Sequence, residues 1–172
     1  PAPAVRDIVG LGLPQALAQL FPALDGADHA QLTLAYSRHF AAPERGPARL
    51  YEGAIATLDG LRARGIELAV ATGKSRRGLD RVLSSLGLAG YFDSTRCADE
   101  THSKPHPRML YEIMAARGKS PGDTVMIGDS EYDMDMARQA GVRSVAVSFG
   151  VHDSDRLSSF GPLAVIDALP EL

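Results

Sequence analysis

The chain has 172 residues, room for one α/β core with a small appendage and too few for two full-sized domains. Apolar residues make up 45 % and charged residues 23 %, an ordinary globular balance that excludes disordered, collagen-like and coiled-coil compositions. A net charge of −3 argues against a duplex-binding surface, no apolar run approaches a membrane span or forms a targeting signal, and the single Cys97 can form no internal disulfide, which suits a reducing cytoplasm.

In chain order, Leu13, Ala16, Leu17 and Leu20 recur at helical spacing, as do Leu32, Tyr36 and Phe40 after Gly26, with Pro22 and Pro43 as stops. Residues 1–49 therefore read as a small helical piece. From Ala54 the rhythm changes: a helix ends near Gly65, and Glu67 to Thr72 forms an apolar strand followed by a helix from Ser75 to Leu86. A short strand over Tyr91 to Ala98 and a helix over Pro105 to Arg117 come next. Thr124 to Asp129 reads as a buried strand, Glu131 to Gln139 as a helix, Ser144 to Phe149 as a strand and Ala164 to Asp167 as an edge strand. Glycines close the helices at Gly65, Gly87, Gly118 and Gly141. The alternation predicts parallel βαβ units with right-handed crossovers.

Open parallel sheets bind ligands beyond the carboxyl ends of their strands, which singles out three strand ends. At Thr72-Gly73-Lys74-Ser75 a hydroxyl, a glycine and the free N–H groups of a new helix coincide, which suits a phosphate; a capped turn is the other reading. It is no nucleotide P-loop, because Leu68 stands where that motif needs glycine. Lys74, Arg76 and Arg77 lie where the helix dipole disfavours cations, a conflict an anionic ligand would relieve. At Ser103-Lys104-Pro105-His106-Pro107, proline restricts the backbone of Lys104, so the ammonium is either aimed at a ligand or is a surface group beside a helix start. His102 and His106 are four apart, but Pro105 interrupts them and no third metal ligand follows.

The third end is Gly128-Asp129-Ser130-Glu131-Tyr132-Asp133. Val125, Met126 and Ile127 predict a strand buried on both faces, and Asp129 at its end with Asp133 one turn on can share a hard cation such as Mg²⁺. Helix capping accounts for the same acids singly. An EF-hand is excluded by Met134 and Ala140 at its glycine and glutamate positions.

In order and spacing, the three ends resemble the second, third and fourth motifs of the haloacid dehalogenase superfamily: Thr72, Lys104 in Lys104-Pro105-His106-Pro107, and Gly128-Asp129 with Asp133. Ala71-Thr72-Gly73-Lys74 and the GDSEYD stretch look most like the phosphoglycolate phosphatase branch with a helical cap. The resemblance implies a Rossmann-like three-layer α/β core with a parallel sheet over residues 50–172 and a partial cap over residues 1–49. It implies a Mg²⁺-dependent phosphatase of a small phosphorylated metabolite. In it Thr72 and Lys104, with the Gly73 N–H, hold the phosphoryl group, Asp129 binds Mg²⁺, and Asp133 supports the metal or its water.

That family opens with a strand carrying Asp-x-Asp-Gly-Thr, whose first aspartate attacks phosphorus to give an aspartyl-phosphate. No such motif occurs here: Asp25-Gly26 has Ala23 at the nucleophile position, Asp59-Gly60 has Thr57, and Asp7 is followed by Ile8 and Val9. The expectation is that a βα unit of about 30 or more residues is lacking ahead of Pro1 and that its strand belongs between those ending at Thr72 and Asp129. The 172 residues alone are then expected to be inactive. A non-catalytic binding or regulatory module of the same fold is the rival. A phospho-acceptor receiver is disfavoured because its acidic motif precedes the threonine and lysine, whereas here it comes last. In the cap, Arg38, His39, Arg45 and Arg49 either read a second anionic group of the substrate or are scattered surface cations.

Overall fold

The computed structural model describes residues 2–40 and 48–172; Pro43 and Arg45 lie outside them. Three helices lead: α1 (Ala2–Asp7), α2 (Leu13–Leu20) and α3 (Gly26–Phe40). Pro14 sits in the first turn of α2, where its missing N–H costs nothing, and Ala16 and Leu17 are buried. After α4 (Ala54–Ala63) come β1 (Ala69–Thr72), α5 (Arg76–Ser85), β2 (Ser94–Cys97), α6 (Arg108–Arg117), β3 (Val125–Gly128), α7 (Glu131–Ala140), β4 (Arg143–Val147), α8 (Ser154–Ser158) and β5 (Val165–Ile166). Among the described residues no helix is long and apolar enough to cross a membrane.

Helix ends follow the local chemistry. The Ser75 hydroxyl accepts the Gly78 N–H at the start of α5, and α7 opens with a reciprocal capping box between Ser130 and Asp133. Gly118 and Gly141 end α6 and α7 at φ of 63° and 69°, a left-handed turn that side chains resist. Helix α6 begins three residues later than the sequence suggests. His106 and Lys104 each precede a proline, and that position disfavours helical backbone, so the helix is entered only after Pro107.

All strand pairings are parallel. β1 pairs with β2 from Ala69↔Ser94 to Thr72↔Cys97, and β3, β4 and β5 form a second ladder in that order, with Gly128 opposite Ala146. Among the described residues β1 and β3 do not pair with each other. The same helical layer nevertheless covers both: Met109, Leu110 and Met114 of α6 and Met136, Ala137 and Ala140 of α7 pack with Ala71 of β1 and Met126 of β3. Along β4 the side chains alternate as the pleat requires. Ala146 joins Met134 and Leu157 on the α7 and α8 side, while Val145 and Val147 join Ile166, Ile127, Phe149 and Leu172 on the other.

The expectation that Val125, Met126 and Ile127 are buried on both faces is corrected. Val125 is 42 % exposed and its two neighbours are half-buried, whereas residues 144–147 of β4 are all buried. The reason lies in the ladder: β4 has a strand on each side, and β3 has one on a single side.

Candidate active site

Residues 10–12 draw the three strand ends together. A Cβ placed on Gly73, just past β1, would lie 2.5 Å from the Leu11 carbonyl oxygen and 2.7 Å from that of Gly10, so only glycine fits there. The Gly12 N–H donates to the Ser103 hydroxyl at 2.6 Å, beside Lys104. Gly10, at φ 111°, leaves so little room that a Cβ would stand 2.8 Å from Ser130 Oγ. Gly73, Ser103-Lys104 and Ser130 therefore surround one short strap at the carboxyl end of the sheet. Sequence reading did not single out this strap; its signal is the Gly10-Leu11-Gly12 alternation directly before α2.

The Lys104 side chain is enclosed, and the residue is 7 % exposed. Its ammonium meets Asp133 Oδ1 at 2.5 Å. Asp133, 3 % exposed, receives the Ser130 N–H at 3.2 Å and the Ser130 hydroxyl at 2.7 Å on Oδ2. Lys104 is thus held by a buried carboxylate, which the start of α7 in turn holds. That resolves the open question about Lys104: it is not a surface lysine. Burial of two opposite charges is tolerable because each has a partner and Asp133 has further donors.

Asp129 occupies the end of β3 and is half-buried. Its Oδ2 accepts the Val151 N–H at 3.1 Å, its carbonyl accepts the His152 N–H at 3.1 Å, and Oδ1 has no hydrogen-bond donor among the described residues. Thr72 Oγ1 accepts the Lys74 N–H at 3.1 Å, shaping the turn into α5. Of the three cations at that helix start, Arg76 meets carboxylates of the chain itself. Arg76 pairs with Glu100 at 2.8 Å and with Asp80 at 3.2 Å, and Asp99 Oδ1 accepts the Arg76 N–H at 2.8 Å. The guanidinium lowers the Glu100 carboxyl to about 2, and Glu100 raises Arg76 in turn. Carboxylates of the β2–α6 connection therefore settle the dipole conflict at Arg76.

His102 and His106 stack with ring centroids 4.4 Å apart, and the described residues contain no group of three or more His, Cys, Asp or Glu side chains that could hold a metal. A Mg²⁺ site does not require one. This ion takes one or two carboxylates and completes its shell with water and substrate phosphate, and a strand-end carboxylate with one oxygen unengaged meets that need. Asp129 fits the ion on this ground, whereas the Asp133 oxygens are committed to Lys104 and Ser130.

Comparison with known proteins decides the family. The profile of haloacid dehalogenase-like hydrolases matches residues 3–147. The chain belongs to the haloacid dehalogenase-like hydrolases. Within this family it is 34 % identical to the phosphoglycolate phosphatase of Rhodospirillum rubrum over 178 residues, covering 98 % of this chain and 73 % of that protein. It is 29 % identical to the pyrophosphatase PpaX of Halalkalibacterium halodurans, covering 91 % of this chain and 73 % of that protein. A haloacid dehalogenase-like hydrolase from Bacteroides fragilis superposes with a TM-score of 0.92 at 22 % identity, over 99 % of this chain and 82 % of that one, which supports the fold. The family expected from Thr72, Lys104 and Asp129 is the family found, and the α/β architecture with parallel strands agrees with it.

Proposed function

We propose that this haloacid dehalogenase-like hydrolase is a Mg²⁺-dependent phosphatase of a small phosphorylated metabolite of the phosphoglycolate class. The observation that carries the reading is the buried Lys104–Asp133 pair at 2.5 Å beside a strand-end Asp129 with an open oxygen, since a fixed cation and a cation seat together suit a phosphoryl group. The phosphoglycolate phosphatase and pyrophosphatase among its relatives support the substrate class.

In this reading Thr72, the Gly73 N–H and Lys104 hold the phosphoryl oxygens, Asp129 is the principal metal ligand, and Asp133 supports the metal site while orienting Lys104. Bound Mg²⁺ would neutralise charge on the transferring group. Lys104 needs no reorganisation to act, because Asp133 already fixes it. Residues 1–49 serve as part of a cap and residues 50–172 as the core. The covalent step through an aspartyl-phosphate falls to an aspartate of an Asp-x-Asp-Gly-Thr strand, a motif that this sequence does not contain. The separate ladders of β1–β2 and β3–β4–β5 support a place for that strand between them.

The test is an assay with phosphoglycolate and p-nitrophenyl phosphate in Mg²⁺, on the 172 residues alone and joined to a family Asp-x-Asp-Gly-Thr segment. Turnover is expected only with the segment present, and Lys104→Met in that protein should cost about 3 kcal/mol of transition-state stabilisation, the scale of one lost electrostatic donor. Turnover by the 172 residues with their mass confirmed, or an unchanged rate in Lys104→Met, would overturn the reading.

A further inference from the structure

Asp129 is held by a segment that none of the three motifs includes. Because β4 runs parallel to β3 with Ala146 beside Gly128, the chain leaving β4 passes directly over the end of β3. There the tripeptide Gly150-Val151-His152 touches residue 129 at its carboxylate and at its carbonyl: the Val151 N–H donates to Oδ2 and the His152 N–H to the carbonyl, each at 3.1 Å. Gly150 permits the approach. A Cβ on it would stand 2.1 Å from Asp129 Cβ and 2.4 Å from Oδ2.

The His152 ring anchors this tripeptide to α7. Its Nδ1 accepts the Glu131 N–H at 3.0 Å, one of the free amides of the first helical turn. Acceptance at Nδ1 places the ring hydrogen on Nε2. That atom is buried without an acceptor among the described residues, and the residue is 4 % exposed. An unsatisfied buried donor is destabilising, and an apolar side chain of similar size would avoid that cost. Packing alone does not account for a histidine here, whereas the acceptor at Nδ1 does.

We infer that His152 is a positioning residue for Asp129: by pinning residues 150–152 to the first amide of α7, it fixes the Asp129 rotamer so that Oδ2 is occupied and Oδ1 is presented as a single metal-binding oxygen. The inference rests on Asp129 as the metal ligand of the proposed function. It adds that ligand affinity depends on a loop whose contact residue Val151 lies 22 residues downstream of Asp129, through a backbone contact and without His152 touching the metal.

The experiment is titration of the chain with Mn²⁺, a spectroscopic substitute for Mg²⁺, followed by electron paramagnetic resonance, with thermal unfolding of the metal-free proteins alongside. Asp129→Asn should abolish binding. His152→Ala should weaken it 10–100-fold, the usual range for groups that orient a metal ligand, with little change in the metal-free melting temperature. His152→Asn should restore affinity, because its Oδ1 replaces Nδ1 as acceptor of the Glu131 N–H. Gly150→Ala, which pushes the carboxylate away from the other side, should weaken binding even if His152→Ala does not fold. Wild-type affinity in His152→Ala or in Gly150→Ala, with Asp129→Asn inactive in binding, would overturn the inference alone. Wild-type affinity in Asp129→Asn would overturn the metal reading of Asp129 and the inference with it.

Discussion

The Lys104–Asp133 pair makes the most demanding energetic prediction. The two side chains are 8 % and 5 % exposed, and no other partner is seen for the Lys104 ammonium among the described residues. Asp133→Asn keeps an oxygen for the Ser130 N–H, so the start of α7 stays capped while the negative charge is lost. An ammonium is then left buried without compensation, a situation that typically costs about 3–5 kcal/mol. Lys104→Met should cost less, because Asp133 retains the Ser130 N–H and hydroxyl as donors. The double variant removes both charges from the interior, so its loss should fall short of the sum of the single losses by about 2 kcal/mol. Urea unfolding of the four proteins at neutral pH reads all of these values directly. Against a total stability of about 5–15 kcal/mol for a domain of this kind, a loss of this size shifts the unfolding midpoint far enough to be read directly. Additivity within about 0.5 kcal/mol would refute the argument, since it would show that the two charges do not sense each other in solution.

Two further outcomes follow from groups outside the crevice. Glu100 is held near 2 by its hydrogen bond to Arg76, so the pair stabilises the fold above the ordinary glutamate range and the contribution is lost as pH falls from about 4.5 through 2. With side chains about one-third exposed the pair is screened, and Glu100→Gln should cost about 1 kcal/mol at pH 7 in urea unfolding; a cost that does not shrink at pH 2.5 would sink the assignment. Cys97 is fully buried and burial pushes its thiol up to about 11, so a disulfide reagent at pH 8 should label it only after unfolding; fast labelling of the native protein would contradict its burial.

Much of the architecture is legible from the sequence because the elements are short and sharply punctuated. Helices α2, α5 and α6 and strands β1, β2, β3 and β5 lie within the segments expected from periodicity, α7 runs one residue past its expected end and β4 starts one residue before its expected start, and Gly65, Gly87, Gly118 and Gly141 all take positive φ where a helix was expected to end. Two kinds of element escaped. Helices α1 and α8, of six and five residues, are too short to show a period of 3.6. The burial of β3 was overestimated because apolar composition reports what a strand can bury, and exposure depends on which edges are paired. An apolar triplet such as Val125-Met126-Ile127 carries no information about its neighbours.

The site divides along a similar line. Thr72, Lys104, Asp129 and Asp133 stand out in the sequence as candidates because their side chains are capable of such chemistry at or just beyond strand ends, where parallel sheets bind ligands. Which of two physically sound roles each plays was not visible. A lysine before proline reads equally well as exposed or aimed, and the distinction comes only from Asp133, 29 residues away, reaching it at 2.5 Å. Gly10, Gly12, Gly150 and the Val151 amide were missed for a different reason: they contribute backbone or simply the absence of a side chain. His152 belongs with them despite its ring. Its Nδ1 serves the Glu131 amide, its backbone serves Asp129, and both relations exist because β3 and β4 run parallel and in register, so that the end of one strand lies under the exit of the next. The carboxylate of a strand end is therefore specified locally, whereas the orientation of that carboxylate is specified by the neighbouring strand, and only pairing of the two reveals it.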